Sequence, residues 1–269
     1  MVVMAAATSI ITERSPFIVR TSQVVPQISG PFGTWVAQQG IKKVVTMVSD
    51  FAPGHDVESS FTETFRAAGG VTEAMRIPLQ NPDFSPFLQR AADAKPDAIL
   101  IFVPSGQGST FMKQFAERGL DKSGIRLIGT GDVTDDDILN GMGDVALGVT
   151  TAHHYSAAHP SPQNKTYVEA FQKANPGLRP NFMSVGGYDG MHALYEGLKK
   201  TAGQGGEALV NAMKGLAWES PRGPMSIDPE TRDIIQNVYI RRVERVNGEL
   251  FNVEFATIPN VKDPVKAKK

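Results

Sequence analysis

The 269-residue sequence contains no cysteine, and this one absence removes disulfide scaffolds, thiolate zinc sites and cysteine nucleophiles together. It leaves the redox compartment open, because a chain without thiols suits either side of a membrane. An excess of one charge is missing too. The 27 Lys and Arg against 28 Asp and Glu leave a formal charge of -1, so there is no electrostatic footprint for nucleic acid or for an anionic membrane surface. The exception is the Lys-rich stretch after Val261, which reads as a solvated, fraying tail. No run approaches the roughly 20 apolar residues that a membrane span requires, which speaks against direct membrane insertion. Residues 1–11 are apolar, and Ala5-Ala6-Ala7 has the composition of a secretory cleavage site. A signal peptide carries Lys or Arg before its apolar segment, however, and here the first basic residue is Arg14. A strand leading into a small-residue loop at residues 5–9 is the better reading. Walker loops, HExxH pairs, nucleophile elbows, solenoid repeats and low-complexity tracts are also absent.

What is present is a repeated strand-and-helix grammar, clearest at residues 42–70. Val44, Val45, Met47 and Val48 form a short, β-branched apolar run that reads as a strand buried on both faces. Gly54 suggests a tight turn, and Val57, Phe61 and Phe65 then share one face of a helix that Gly69-Gly70 terminate. Residues 71–79, 97–103, 126–129 and 148–152 predict further strands. Between them, helices begin at Ser85-Pro86, carry Phe111, Met112 and Phe115, or open on Asp135-Asp136-Asp137. A helix capped by Ser22 is expected before this region, with Phe17 to Arg20 as another short strand. Strands alternating with helices imply an α/β protein with a parallel sheet and right-handed crossovers. Beyond residue 155 the pattern turns helical, at 166–174, 184–201 and 207–215. It closes on a hairpin marked by Asn247-Gly248.

Individual motifs carry little chemistry. Gly129-Thr130-Gly131-Asp132 opens like a dinucleotide fingerprint but lacks the third glycine, so no cofactor is expected. His153 and His154 are neighbours on an extended chain and point to opposite faces, which suits packing better than metal binding. His192 lies in a helix and reads as a packing residue, and the Asp135-Asp136-Asp137 run as a solvated helix cap. The glycosylation sequon at Asn164 carries little weight. What remains is a set of strand-end loops at residues 5–9, 50–56, 104–108 and 131–134. They are rich in small residues, hydroxyls and backbone amides, with no nucleophile and base pair. Such a lining can hold a carboxylate through amides and the Thr8 and Ser9 hydroxyls, but it is poorly equipped to transform one. The reading is therefore a binding protein, not an enzyme, with a small-molecule carboxylate as ligand. A ligand-sensing receptor or regulator is the alternative use of the same fold.

Ala6-Ala7-Thr8 ahead of Phe17 to Thr21, Lys43-Val44-Val45 through Ser49-Asp50 to Gly54, Asp83-Phe84-Ser85, Pro96-Asp97-Ala98, Gln114 to Leu120, Leu127-Ile128-Gly129 and Gly148-Val149 occur in an order that resembles a known family. It is that of the type I periplasmic substrate-binding proteins of ABC transporters, and within it the branched-chain amino acid (Leu/Ile/Val) receptors. The resemblance implies two Rossmann-like lobes that close on a ligand like a Venus flytrap, a periplasmic location and an ABC permease as partner. It places residues 1–38 and 155–223 in the first lobe, with 39–154 and 224–269 in the second. It carries ligand contacts onto Ala6, Ala7 and Thr8 for the carboxylate, onto Phe51, Ala52, Pro53, Ser105, Gly131 and Asp132 in the second lobe, and onto Phe182 over an apolar side chain. Two departures qualify it. Amino acid receptors commonly have a tyrosine where Pro53 stands and an acid where Gly131 stands, whereas the acid here is offset to Asp132. A buried ammonium without its partner is costly, so an aromatic or other apolar carboxylate competes with an amino acid as ligand. Family members also begin with a signal peptide and several βα units ahead of the position of Met1. The expectation is thus an amino-terminally truncated version, its first lobe incomplete and carrying an unpaired sheet edge.

Overall fold

The computed structural model describes residues 1–267 and divides them into two compact units, each assembled from separate stretches of chain. One comprises Ile28–His153 and Ile240–Ala256, the other Met1–Gln27, His154–Tyr239 and the residues from Thr257 on.

The first of these is built on β3 (Lys43–Ser49), β4 (Val71–Ile77), β5 (Ala98–Phe102), β6 (Arg126–Thr130) and β7 (Thr150–His153). They lie in the order β4-β3-β5-β6-β7, with each neighbouring pair in parallel register. The Ile240–Val246 half of β10 (Ile234–Val246) continues the sheet and pairs with β11 (Glu249–Val261). Asn247 and Gly248, both at positive φ (50° and 89°), make the turn between them. Helices α2 (Ala52–Ala67), α3 (Ser85–Asp93) and α4 (Gly108–Glu117) supply the crossovers. The core gathers Val45, Met47, Ile99, Ile101, Phe84, Leu88, Phe111 and Phe115. β3 and β5 are buried almost throughout, which is why they read as continuous apolar runs.

The other unit carries a parallel pair, β1 (Val2–Val3) and β2 (Val19–Arg20), with Val2 opposite Val19. Among the described residues β1 has a strand partner on one edge only. An antiparallel set joins β8 (Ala217–Ser220), β9 (Gly223–Ile227) and the start of β10. Helices α6 (Pro162–Ala174), α7 (Phe182–Lys200) and α8 (Gly206–Met213) complete it. Val19, Ala193, Val210, Met213, Met225, Ile227 and Ile234 form one buried cluster.

Several expectations are corrected. The division at residue 38 moves to 27–28, because α1 (Val25–Gln38) packs Phe32 on Phe61 (ring centroids 6.1 Å apart) and Trp35 on Phe255 (5.9 Å). Residues 224–239 group with Val19 instead, since Met225, Ile227 and Ile234 share its core. Ser22 does not cap α1; its hydroxyl donates to the Ala6 carbonyl at 2.8 Å. Gly54 is no turn. It lies in the first turn of α2, where an added Cβ would stand 1.9 Å from the Ser49 carbonyl oxygen, so the residue permits close approach of helix to strand. Asp135 and Asp136 are buried, not a solvated cap, and the next α-helix, α5 (Leu139–Met142), starts three residues further on. The tail does not fray as a whole. Asp263 is buried, and Lys266 reaches Asp233 at 2.5 Å with its side chain 5% exposed, while Lys268 and Lys269 lie outside the described residues.

Candidate functional site

Strand order points to one edge of the sheet built on β3 to β7 as the place for a ligand. The chain runs from β3 outward to β4, then returns past β3 to β5 and β6, so the order reverses between β3 and β5. In open parallel sheets, ligands lodge beyond the carboxyl ends of the strands at such a reversal. Phe51 follows β3, Ser105 follows β5, and Gly131 and Asp132 follow β6. The topology therefore brings these four expected site residues to neighbouring positions on one edge.

Each is fixed by local chemistry. The Phe51 ring stacks on Phe102, the last residue of β5, with centroids 5.9 Å apart and planes 16° from parallel. Ala52 and Pro53 open α2, and Pro53, lacking an N–H, suits that position. Ser105 donates its hydroxyl to Asp135, which leaves the oxygen as an acceptor. A side chain at Gly131 would force its neighbours aside: an added Cβ would stand 1.9 Å from His153 Cδ2 and 2.2 Å from Arg241 Nη2. Asp132 accepts the Thr130 hydroxyl at 2.8 Å and lies 3.8 Å from His153 Nε2, its side chain 15% exposed. Burial pushes its carboxyl up to about 6, against the Thr130 hydrogen bond and the Arg241 charge, which favour the ionised form. Burial likewise holds Asp135 well above the carboxylate range, reinforced by the charges of Asp137, Asp136 and Asp132. Arg241 is fully buried among them, donating to Thr151 Oγ1 at 3.0 and 3.2 Å.

In the other unit, Ala6, Ala7 and Thr8 follow the carboxyl end of β1; Ala6 is exposed and the other two are half-buried. Their carbonyls face inward. The Ala6 oxygen accepts from Arg20 at 2.9 Å and from Ser22, Ala7 accepts the Val25 amide at 3.0 Å, and Thr8 accepts from Arg20 at 2.7 Å. Thr8 precedes the 3-10 helix Ser9–Arg14 without capping it through its hydroxyl. Behind the loop, Gly186 of α7 packs against Met4, where an added Cβ would lie 2.2 Å from the Met4 oxygen. Phe182, the residue expected over an apolar side chain, opens α7. It is 4% exposed, clusters with Tyr155, Tyr167 and Val185, and meets His154 edge-on at 6.0 Å. The Asn164 side chain is engaged by Tyr155, Ala157 and His159, and the residue is buried, so the sequon is not presented at the surface.

Arg20 is the residue that sequence reasoning missed. Its only signal is a charge at the end of the apolar run Phe17-Ile18-Val19, a position that a solvated arginine would not normally share with a buried strand. A cavity of about 440 Å³ lined by Trp35, Phe255, Arg126 and Thr150 lies at the amino-terminal ends of β6 and β7, the edge opposite the loops.

The fold is that of the type I periplasmic binding proteins. The chain belongs to the periplasmic binding protein family, which it matches over residues 1–249. Among solved structures it is 64% identical to a solute-binding protein of an ABC transporter from Rhodopseudomonas palustris BisB5 in complex with 3,4-dihydroxybenzoic acid, at a TM-score of 0.96 over 98% of this chain and 73% of that one. A solute-binding protein from R. palustris HaA2 in complex with p-hydroxybenzoic acid is 42% identical, at a TM-score of 0.97 over all of this chain and 74% of the other. The Leu/Ile/Val-binding protein homolog 6 of Brucella melitensis is 46% identical over 98% of this chain and 69% of its own length. Family and neighbours are solute-binding transport proteins, not enzymes, and among the described residues no helix is long and apolar enough to cross a membrane.

Proposed function

We propose that the chain is an extracytoplasmic, periplasmic binding component that takes a hydroxylated benzoate and delivers it to an ABC permease. The observation that carries this reading is the 64% identity to the protein in complex with 3,4-dihydroxybenzoic acid. The local chemistry supports it. An aromatic acid needs amide donors for its carboxylate, and the inward-turned carbonyls of Ala6, Ala7 and Thr8 leave the following amides facing the other way. It also needs a flat apolar wall, and Phe51 on Phe102 provides one. An α-amino acid needs an ammonium partner besides. Pro53 offers no hydroxyl, and burial disfavours the ionised form of Asp132, pushing its carboxyl up to about 6.

A thermal-shift panel tests the proposal, because a ligand selective for the folded state raises the melting temperature. 4-Hydroxybenzoate and 3,4-dihydroxybenzoate are expected to raise it, and leucine, isoleucine and valine to leave it unchanged. Thr8→Ala should abolish the shift. A shift with the branched-chain amino acids alone would transfer the assignment to them.

A further inference from the structure

The geometry points to Arg20 as the positioning residue of the carboxylate loop, held in register by Asp233 and by Lys266 from the carboxyl-terminal segment. The inference deepens the proposed ligand reading and rests on it only for the choice of probe.

The guanidinium presents its donors as a fork. Nη1 reaches the Ala6 carbonyl at 2.9 Å, Nη2 reaches the Thr8 carbonyl at 2.7 Å, and Nη1 also touches Gln23 O at 3.2 Å. Its remaining edge turns Nε toward Asp233 Oδ1 at 3.0 Å. A planar guanidinium fixed on one edge therefore fixes the directions of the donors on the other. Two loop carbonyls, two residues apart, are gripped by one rigid group.

The consequence for the ligand follows from peptide geometry. In a trans peptide the C=O and the next residue's N–H point opposite ways, and no peptide of the described chain is cis. Drawing the Ala6 and Thr8 carbonyls onto Arg20 turns the amides of Ala7 and Ser9 away from it. The Val25 amide on the Ala7 carbonyl does the same for the Thr8 amide. Three successive N–H groups are aimed by groups that need never touch the ligand, and successive amides of this kind make an anion site.

What keeps Arg20 in place comes from far along the chain. Asp233 also accepts the Thr12 hydroxyl, at 3.2 Å to each of its oxygens. Lys266 Nζ lies 2.5 Å from Asp233 Oδ2 and 2.5 Å from the Thr12 hydroxyl. Asp263 accepts the Ser9 hydroxyl, tying the end of the loop itself to the same segment. Arg20 and Asp233 are buried, and a buried ion pair keeps its geometry only while its remaining donors and acceptors are satisfied. Lys266 and Thr12 donate to the Asp233 oxygens, so the carboxyl-terminal segment acts on the ligand loop through Arg20.

Two variants and one pair of probes test this. Arg20→Lys keeps a positive charge but cannot form the fork; Lys266→Met leaves Arg20 intact and removes the brace on Asp233. Each is titrated with 4-hydroxybenzoate and with its neutral isostere 4-hydroxybenzamide. The expected result is a loss of acid affinity of about tenfold for Arg20→Lys and about threefold for Lys266→Met, with amide affinity unchanged, since mispositioned donors forfeit most on a charged acceptor. If Arg20→Lys does not fold, Lys266→Met decides alone. Unchanged acid affinity, or acid and amide falling together, overturns the assignment. Hydrogen exchange at the Ala7, Thr8 and Ser9 amides in the unliganded variants gives a reading that no choice of ligand affects. Faster exchange there, with the β3 and β5 amides unchanged, supports the positioning role even if the wild-type chain refuses hydroxybenzoates. Unaltered exchange in both variants overturns it.

Discussion

Phe51 and Phe102 lie ring on ring, 5.9 Å between centroids, across the point where the strand order reverses. Phe102 is 3% exposed and belongs to the sheet, whereas Phe51 is half-buried and precedes a helix. The pair therefore fixes the face of one aromatic ring at the carboxyl edge without making that ring part of the core. Phe51→Ala is expected to weaken hydroxybenzoate binding by about tenfold, the scale of one lost aromatic contact and its burial. Its melting temperature should fall by no more than about 2–4 °C. Calorimetric titration alongside thermal denaturation separates the two effects.

Gly54 sits where any side chain meets backbone. The Cβ of Gly54→Ala would have to come within 1.9 Å of the Ser49 carbonyl oxygen, so α2 must shift on β3. A destabilisation of about 1–3 kcal/mol is expected in urea unfolding, the usual cost of overpacking. A loss well under 0.5 kcal/mol would mean that the helix does not hold this approach.

Asp132 should make stability fall as pH rises. Its carboxyl titrates at about 6 in the folded chain, against about 3.9 for an unperturbed aspartate. The folded state therefore keeps a proton that the unfolded chain releases. The contribution is complete below about pH 4 and is lost as pH rises through 6. Asp132→Asn should raise the melting temperature over wild type at pH 7.5 and not at pH 4. An equal difference at both values would place the perturbation elsewhere.

Asp97 works in the opposite sense. Its Oδ2 accepts the amides of Lys43 and Lys42 at 2.9 and 2.8 Å, and these bonds lower its pKa. The stabilisation is present above the unfolded value of about 3.9 and disappears as pH falls through the folded one. Because the group is exposed, Asp97→Ala should cost only about 1 kcal/mol at pH 7. The difference from wild type should shrink as the solution is acidified below the unfolded value, as unfolding curves at pH 7 and pH 3 will show.

The parts of the chain that were legible in the sequence are those whose structure is decided locally. β3 and α2 are set by the apolar run at Val44 to Val48 and by the spacing of Val57, Phe61 and Phe65, all buried as expected. Asn247-Gly248 announced its hairpin through a local demand for positive φ. The misreadings arise where a distant partner decides. Gly54 has the signature of a turn but answers to the Ser49 carbonyl. Asp135 and Asp136 look like a solvated cap, yet Ser105, Asn252 and the buried Arg241 surround them. Lys266 belongs to a basic tail by composition, and Ser9 and Asp263 are 254 residues apart in sequence. No local pattern encodes such a pairing, so Arg20's grip on the candidate loop was invisible until the chain was folded.

Isothermal titration of the unmodified chain with 4-hydroxybenzoate, followed by leucine, tests the account most directly. It predicts saturable one-to-one binding of the aromatic acid, with a negative heat-capacity change from the buried ring, and no heat from leucine. Saturable binding of leucine, with none of the aromatic acid, would contradict it.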